Sequence, residues 1–115
     1  MTVQAENGTL IVTGASRGIG AAIAKLAGGR GFSVAVNFAS GHVEARAVVE
    51  EIIFAGGRAC AIQADVAREE DVVRLFDTAE RELGPIKALV NNAAITGGFA
   101  RACRRSPNRL AQTRR

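Results

Sequence analysis

The segment Thr13-Gly14-Ala15-Ser16-Arg17-Gly18-Ile19-Gly20 decides the fold, because it joins a β-branched run at residues 9–13 to a helical pattern. Gly14 allows a tight turn with unusual backbone angles. Gly18 leaves room for a pyrophosphate beside the backbone, and Gly20 lets the helix pack close to the strand. The helix N-terminus adds free N–H groups and a partial positive charge. The spacing G-x-x-x-G-x-G therefore predicts a phosphate-binding turn.

Outward from this turn, residues 8–97 alternate short apolar runs with helical patterns. Strands are predicted at residues 9–13, 33–38, 59–63 and 88–90. The β-α-β-α-β-α-β order implies right-handed crossovers and a parallel sheet. The predicted fold is therefore α/β: a Rossmann-type parallel sheet with helices on both faces, truncated after about the fourth strand.

The three helices between these strands are predicted from apolar stripes. We expect the first helix to end in a frayed turn at Gly28, Gly29 and Gly31, and the second to be capped by Ser40. Glu69, Glu70 and Asp71 are expected in the first turn of the third. The predicted inward faces are Ile19, Ile23, Leu26 and Ala27; Ala45, Val48, Val49 and Ile52; and Val72, Phe76, Ala79 and Leu83.

Three ordered motifs resemble the short-chain dehydrogenase/reductase family over about residues 8–97. T-G-A-S-R-G-I-G is similar to its cofactor loop, Asp65-Val66 falls where members hold the adenine, and Asn91-Asn92-Ala93-Ala94 looks like N-N-A-G, with Ala94 departing from the usual glycine. The resemblance implies a nicotinamide cofactor. The residues expected to bind it are Gly14, Ser16, Arg17, Gly18, Ile19, Gly20, Asn37, Asp65, Val66, Asn91, Asn92 and Ala93.

The end of the second strand favours NADP over NAD. An acidic residue there would bond the ribose hydroxyls and repel a 2′-phosphate. The chain instead has Asn37, with no Asp or Glu between Gly31 and His42. Arg17 adds a cation whose planar fork suits phosphate. Alternatively, Arg17 is a solvated surface charge and Asn37 a strand terminator.

No catalytic residue is assigned. In the family, a Tyr in Y-x-x-x-K exchanges a proton with the substrate oxygen, and this chain contains no Tyr. The resemblance implies hydride transfer between NADP(H) and a small carbonyl or alcohol substrate, with catalytic and oligomer contacts in a half that this chain lacks. We expect the chain alone to be inactive.

His42 is expected to be a solvated residue and Cys60 a small core residue, and no metal-binding pattern occurs.

Residues 98–115 differ in composition from residues 1–97, which we assign to an NAD(P)-binding half-domain. The first 97 residues carry nine basic and eleven acidic side chains, whereas the remainder carries six arginines and no acid. An out-of-frame reading is favoured for this Arg-rich tail. A disordered basic tail that contacts nucleic acid ranks lower because aromatics are scarce, and Pro107 disfavours a helix. The alternative function is accordingly a non-catalytic nucleotide-binding module with a basic tail.

Composition predicts a cytoplasmic location. Hydrophobic residues make up 48% of the chain, enough for a core, but no apolar run approaches the roughly 20 residues of a membrane span. Residues 1–8 lack a secretory pattern.

Without a fifth strand, the sheet is expected to keep an open edge, so we predict marginal stability and a tendency to aggregate.

Overall fold

Four strands and three helices alternate through residues 7–92, the part of the chain that the computed structural model describes. A Rossmann-type α/β arrangement is therefore confirmed. The elements are β1 (Thr9–Val12), α1 (Gly18–Gly29), β2 (Ser33–Phe38), α2 (His42–Phe54), β3 (Arg58–Gln63), α3 (Glu69–Leu83) and β4 (Ile86–Val90).

The sheet is parallel throughout, with the order β3-β2-β1-β4. β1 pairs with β2 from Thr9 opposite Ser33 to Val12 opposite Val36. All residues of β1 and β2 are buried. Burial on both faces explains why these strands read as continuous apolar runs rather than alternating ones. The sheet reverses its strand order at β1. This strand leads into residues 13–20, which we call the phosphate loop.

Helices cover both faces of the sheet, as predicted. α1 and α2 pack on one face, and α3 packs on the other. The first face buries Leu10, Val12, Val34, Val36 and Phe38 against Ala21, Ala24, Ala45, Val48 and Ile52. The second buries Ile11, Ala35, Ile62 and Ala64 against Leu75, Ala79 and Leu83.

The inward face of α1 differs from the predicted stripe. Ile19 and Leu26 are 66% and 58% exposed, and Ile23 is only partly buried. The buried residues of this helix are instead the small ones: Gly20, Ala21, Ala24 and Ala27. Small side chains let α1 lie close to the loop, the sheet and α2, so the larger apolar residues are displaced to its flanks.

The predicted end of α1 at the glycines is confirmed, because Gly28 and Gly29 are the last two residues of the helix and Arg30 is its C-cap. A β-carbon on Gly28 would approach Cγ2 of Ile52 to 2.8 Å. The glycine is therefore where α2 comes close to α1, and Gly31, with φ of 95°, makes the turn that follows.

The caps and stripes of α2 and α3 were predicted in part. Gly41, with φ of 89°, rather than Ser40 is the N-cap of α2, and no side chain caps that helix. The predicted stripe of α2 packs inward. In α3, Leu75 is fully buried and was missed, whereas Val72 and Phe76 are half-buried. The three acidic residues lie in the first turn of α3, as predicted.

β4 is the least covered strand of the described sheet. Its residues alternate between half-buried and exposed, and Leu89 is 47% exposed. No helix within residues 7–92 has both the length and the hydropathy to cross a bilayer. Residues 98–115, and with them the predicted domain boundary and tail, lie outside the described part.

Candidate nucleotide-binding site

The loop that follows β1 starts from a fixed point between two strands. Its first residue, Thr13, donates its backbone N–H to the carbonyl of Val90 at 3.0 Å. The Thr13 hydroxyl lies 3.2 Å from Oδ1 of Asn91. The end of β1 is thereby tied to the end of β4 at the carboxyl edge of the sheet, which is where ligands bind in open α/β folds.

Asn37 supports the loop from inside the molecule, which corrects its predicted position facing the ribose. The residue is 1% exposed. Its Oδ1 accepts the Gly14 N–H at 3.2 Å, and its Nδ2 donates to the carbonyls of Ile62 and Ala64 at 3.3 and 3.2 Å. Its own carbonyl accepts the Ala15 N–H at 2.8 Å. A side chain engaged in this way positions the turn and does not face a ligand.

Each of the three loop glycines occupies a different environment. Gly14 and Gly18 have positive φ values of 61° and 63°, where a β-carbon is strained. A β-carbon on Gly18 would have no neighbour within 4 Å, so this glycine borders open space. A β-carbon on Gly20 would collide with the carbonyl of Gly14 and lie 2.7 Å from Nδ2 of Asn92. Gly20 thus lets α1 pack closely against Gly14 and Asn92, which follow β1 and β4.

The outer half of the loop runs from Ser16 to Ile19. Its backbone N–H groups donate no hydrogen bond within residues 7–92 and are available to a ligand. Arg17 is the N-cap of α1 with an extended backbone, and no side chain caps this helix end. The first N–H groups of a helix have no intrahelical acceptor, and they carry its positive end. Ser16 and Arg17 also line a groove of about 650 Å³ between α1 and α2. The predicted residues Ser16, Arg17, Gly18 and Ile19 are therefore brought together on one surface.

Asn91 and Asn92 close the loop from the β4 side. The half-buried Asn92 donates its Nδ2 to the carbonyl of Gly14 at 3.0 Å, whereas Asn91 is exposed and accepts from Thr13. In this structure Asn92 holds the phosphate loop to the end of β4. Ala93, the remaining predicted residue of this motif, lies outside the described residues.

Asp65 and Val66 lie in the loop after β3. Asp65 is exposed: its Oδ1 accepts the N–H of Ala67 at 2.9 Å, and its own N–H donates to Oδ2 of Asp71 at 2.8 Å. That hydrogen bond from the Asp65 N–H lowers the pKa of Asp71. Val66 packs beside the core under α3. The structure gives Asp65 a turn-forming role and leaves it at the same edge of the sheet as the phosphate loop.

Two residues near the loop were missed by the sequence reasoning: Gly41 and Glu44. A β-carbon on Gly41 would lie close to Arg17, Ser16 and Glu44 together. The signal available in the sequence was a glycine directly before a predicted helix, where a positive φ favours it. The sequence offered no signal for Glu44, because only the tertiary fold brings it near Arg17.

The other reactive side chains do not form a second site. His42 is exposed, with its ring 6.0 Å from that of Phe38. Cys60 is a half-buried free cysteine beside the α3 core, and burial, reinforced by Glu82, raises its pKa to about 11. Such a thiol is protonated near neutral pH and a poor nucleophile. Within residues 7–92 no group of three metal-binding side chains occurs.

A glycine-rich turn between the first strand and the first helix of a parallel sheet defines a nucleotide-binding α/β protein of the Rossmann class. The model of the family "short chain dehydrogenase" matches residues 8–113. The chain belongs to the short-chain dehydrogenase/reductase family.

Known relatives extend well beyond this chain. It is 47% identical over 90 residues to an uncharacterized oxidoreductase of Methylorubrum extorquens, covering 78% of this chain and 36% of that protein. It is 46% identical over 90 residues to the 3-oxoacyl-[acyl-carrier-protein] reductase of Staphylococcus epidermidis, covering 78% and 37%. The crystal structure of the angucycline C-6 ketoreductase LanV with bound NADP matches with a TM-score of 0.69 and 40% identity, covering 79% and 37%. The chain thus spans about a third of these proteins.

Proposed function

We propose that this chain binds NADP(H) through the loop of residues 13–20, as the cofactor-binding part of a short-chain dehydrogenase/reductase. The observation that carries the proposal is the open space over Gly18, at the uncapped N-terminus of α1. A pyrophosphate there would receive N–H groups and the positive end of the helix dipole. The rigid Gly14–Asn37–Asn92 contacts below would keep that geometry without rearrangement on binding.

The preference for the phosphorylated cofactor rests on Arg17. Its guanidinium lies at the outer end of the loop, beside Ser16 and facing the turn after β2, where the adenosine ribose lies in this fold. Arg forms paired, charge-assisted hydrogen bonds with phosphate. The relative solved with bound NADP supports the same choice.

For the whole protein we propose hydride transfer between NADP(H) and a small carbonyl or alcohol substrate. When bound, the nicotinamide would supply or accept the hydride. The 115 residues contain no Tyr, so the family's proton donor is not among them. These residues by themselves would bind and orient the cofactor, without moving a proton at the substrate oxygen.

Titration of the 115-residue chain with NADPH and NADH tests the proposal. We expect saturable binding of both, with NADPH tighter. Arg17→Ala should weaken NADPH binding by about tenfold and NADH binding much less, because a charged hydrogen bond to the 2′-phosphate is lost. The matched control is Arg81→Ala, which removes an exposed arginine from the last turn of α3.

Two outcomes would count against this account. Equal losses for NADPH and NADH in Arg17→Ala would exclude a 2′-phosphate contact. Absence of saturable binding of either dinucleotide by the unaltered chain would refute nucleotide binding itself.

A further inference from the structure

We propose that Glu44 is a specificity-determining residue, which opposes the 2′-phosphate of NADP(H) and thereby limits the preference that Arg17 creates. The inference rests on the proposed function, since it concerns the adenosine end of the same site. It assigns a role to an exposed carboxylate in the first turn of α2.

Three polar side chains converge around Gly41. A β-carbon built on this residue would lie 2.9 Å from Nη2 of Arg17, 3.1 Å from Oγ of Ser16 and 3.2 Å from Oε1 of Glu44. The three polar groups therefore close around the backbone of Gly41, and only a residue without a side chain lets them come this near to one another. Gly41 has φ of 89°, a conformation that further favours glycine here.

This position corresponds to the ribose end of a bound dinucleotide. In the doubly wound fold, the turn after the second strand meets the adenosine ribose, and an acidic residue or an arginine there decides between a 2′-hydroxyl and a 2′-phosphate. Here the turn after β2 leads to Gly41, and the structure brings one residue of each kind to it. Arg17 belongs to the phosphate loop, and Glu44 lies in the first turn of α2.

Arg17 and Glu44 lie near each other but do not form an ion pair. Within residues 7–92 the ion pairs join Lys25 to Glu51, Arg68 to Glu70 and Arg74 to Asp71, so Arg17 and Glu44 remain without a salt bridge. A 2′-phosphate beside Gly41 would therefore be attracted by the guanidinium and repelled by the carboxylate. A 2′-hydroxyl would instead be able to donate a hydrogen bond to Glu44.

Glu44→Gln separates these effects, because it keeps the shape of the side chain and an acceptor oxygen but removes the charge. The matched control is Glu69→Gln, an exposed acid in the first turn of α3 on the opposite face of the sheet. The probes are adenosine 2′,5′-bisphosphate and adenosine 5′-monophosphate, which differ only in the 2′-phosphate. Affinities are measured on the full 115-residue chain at low and high salt.

We expect Glu44→Gln to tighten adenosine 2′,5′-bisphosphate binding by about three- to tenfold, which is the range for one exposed charge a few ångströms away. Binding of the 5′-monophosphate should stay unchanged or weaken. The gain should shrink at high salt because the interaction is exposed. Glu69→Gln should leave both affinities unchanged.

Equal gains for both probes, or no gain for the bisphosphate, would overturn the role of Glu44 while leaving nucleotide binding intact. If the unaltered chain bound neither probe, the proposed function would fall and the inference with it. Circular dichroism verifies that each variant is folded, and Glu44→Ala, which also lacks the charge, serves as the second variant with the same expected gain for the bisphosphate.

Discussion

Two loops at the carboxyl edge of the sheet are held in different ways. The loop after β1 is anchored by the neutral amides of Asn37 and Asn92, one fully buried and the other half-buried. The loop after β3 is anchored by two carboxylates, that of the exposed Asp65 and that of the half-buried Asp71. Buried amide contacts are insensitive to pH and salt, whereas contacts of solvent-accessible carboxylates depend on both. The difference indicates that the anchoring of the phosphate loop is independent of pH and salt, whereas that of the β3 loop depends on both.

Among changes to the anchors of the two loops, Asn37→Ala is expected to lower the free energy of unfolding the most. The change leaves the Gly14 N–H and the carbonyls of Ile62 and Ala64 without their amide partner in the interior, at a cost of about 3–5 kcal/mol in the free energy of unfolding. The control Asn91→Ala removes one contact of an exposed amide and should cost about 1 kcal/mol or less. Urea denaturation followed by circular dichroism measures both. Equal denaturation midpoints would show that the buried amide is not the main anchor.

A smaller effect is expected from alanine at the two helix-start glycines. Gly20→Ala forces a β-carbon against the carbonyl of Gly14 and should cost about 2 kcal/mol, because backbone must move. Gly18→Ala meets open space and should cost about 1 kcal/mol for its positive φ. Thermal denaturation ranks the two variants, and NADPH titration should show weakened binding for both. A Gly18 variant less stable than the Gly20 variant would contradict the division between packed and open glycines.

The smallest effect is expected at the β3 loop, on lowering the pH. The pKa of Asp71 is depressed in the folded chain, chiefly by the Asp65 N–H, so its contribution to stability is present above the unfolded pKa and is lost as the pH falls through the folded value. Asp71→Asn should therefore flatten the fall in melting temperature as the pH is lowered below the unfolded pKa of an aspartate, about 4. Arg68 lowers the pKa of Glu70 as well, so part of the fall should remain. An unchanged pH profile in this variant would mean that Asp71 does not anchor the loop.

The fold was predictable because periodicity and glycine punctuation agree along the chain. β2 was predicted with its observed ends, and the acidic first turn of α3 was also predicted. Errors arose where tertiary contacts override local pattern. Ile19 and Leu26 look like core residues by spacing, but α1 uses its alanines and glycines because a close approach to the sheet and α2 leaves no room for larger side chains.

The candidate site was predictable by its motifs but not by the roles of the residues within them. Asn37 was expected to face the ribose, yet alternation along a strand cannot show that its side chain turns under the phosphate loop. Gly41 and Glu44 were missed because they approach Arg17 only through the packing of α2 beside α1. The cofactor contacts of the remaining predicted residues stay predictions.

The two amides that hold Gly14 also imply an order of assembly. The contact from Gly14 to Asn37 spans 23 residues of chain, whereas that to Asn92 spans 78. Closing the longer segment costs about 1 kcal/mol more in chain entropy, and distant pairings form more slowly. We therefore expect the hydrogen bond between Gly14 and Asn37 to form as soon as β1 and β2 pair. The hydrogen bond between Gly14 and Asn92 should form only when β4 joins the sheet. During synthesis and refolding, competence for nucleotide would thus appear after most of the hydrophobic core has formed, so nucleotide binding would mark completion of the four-stranded sheet.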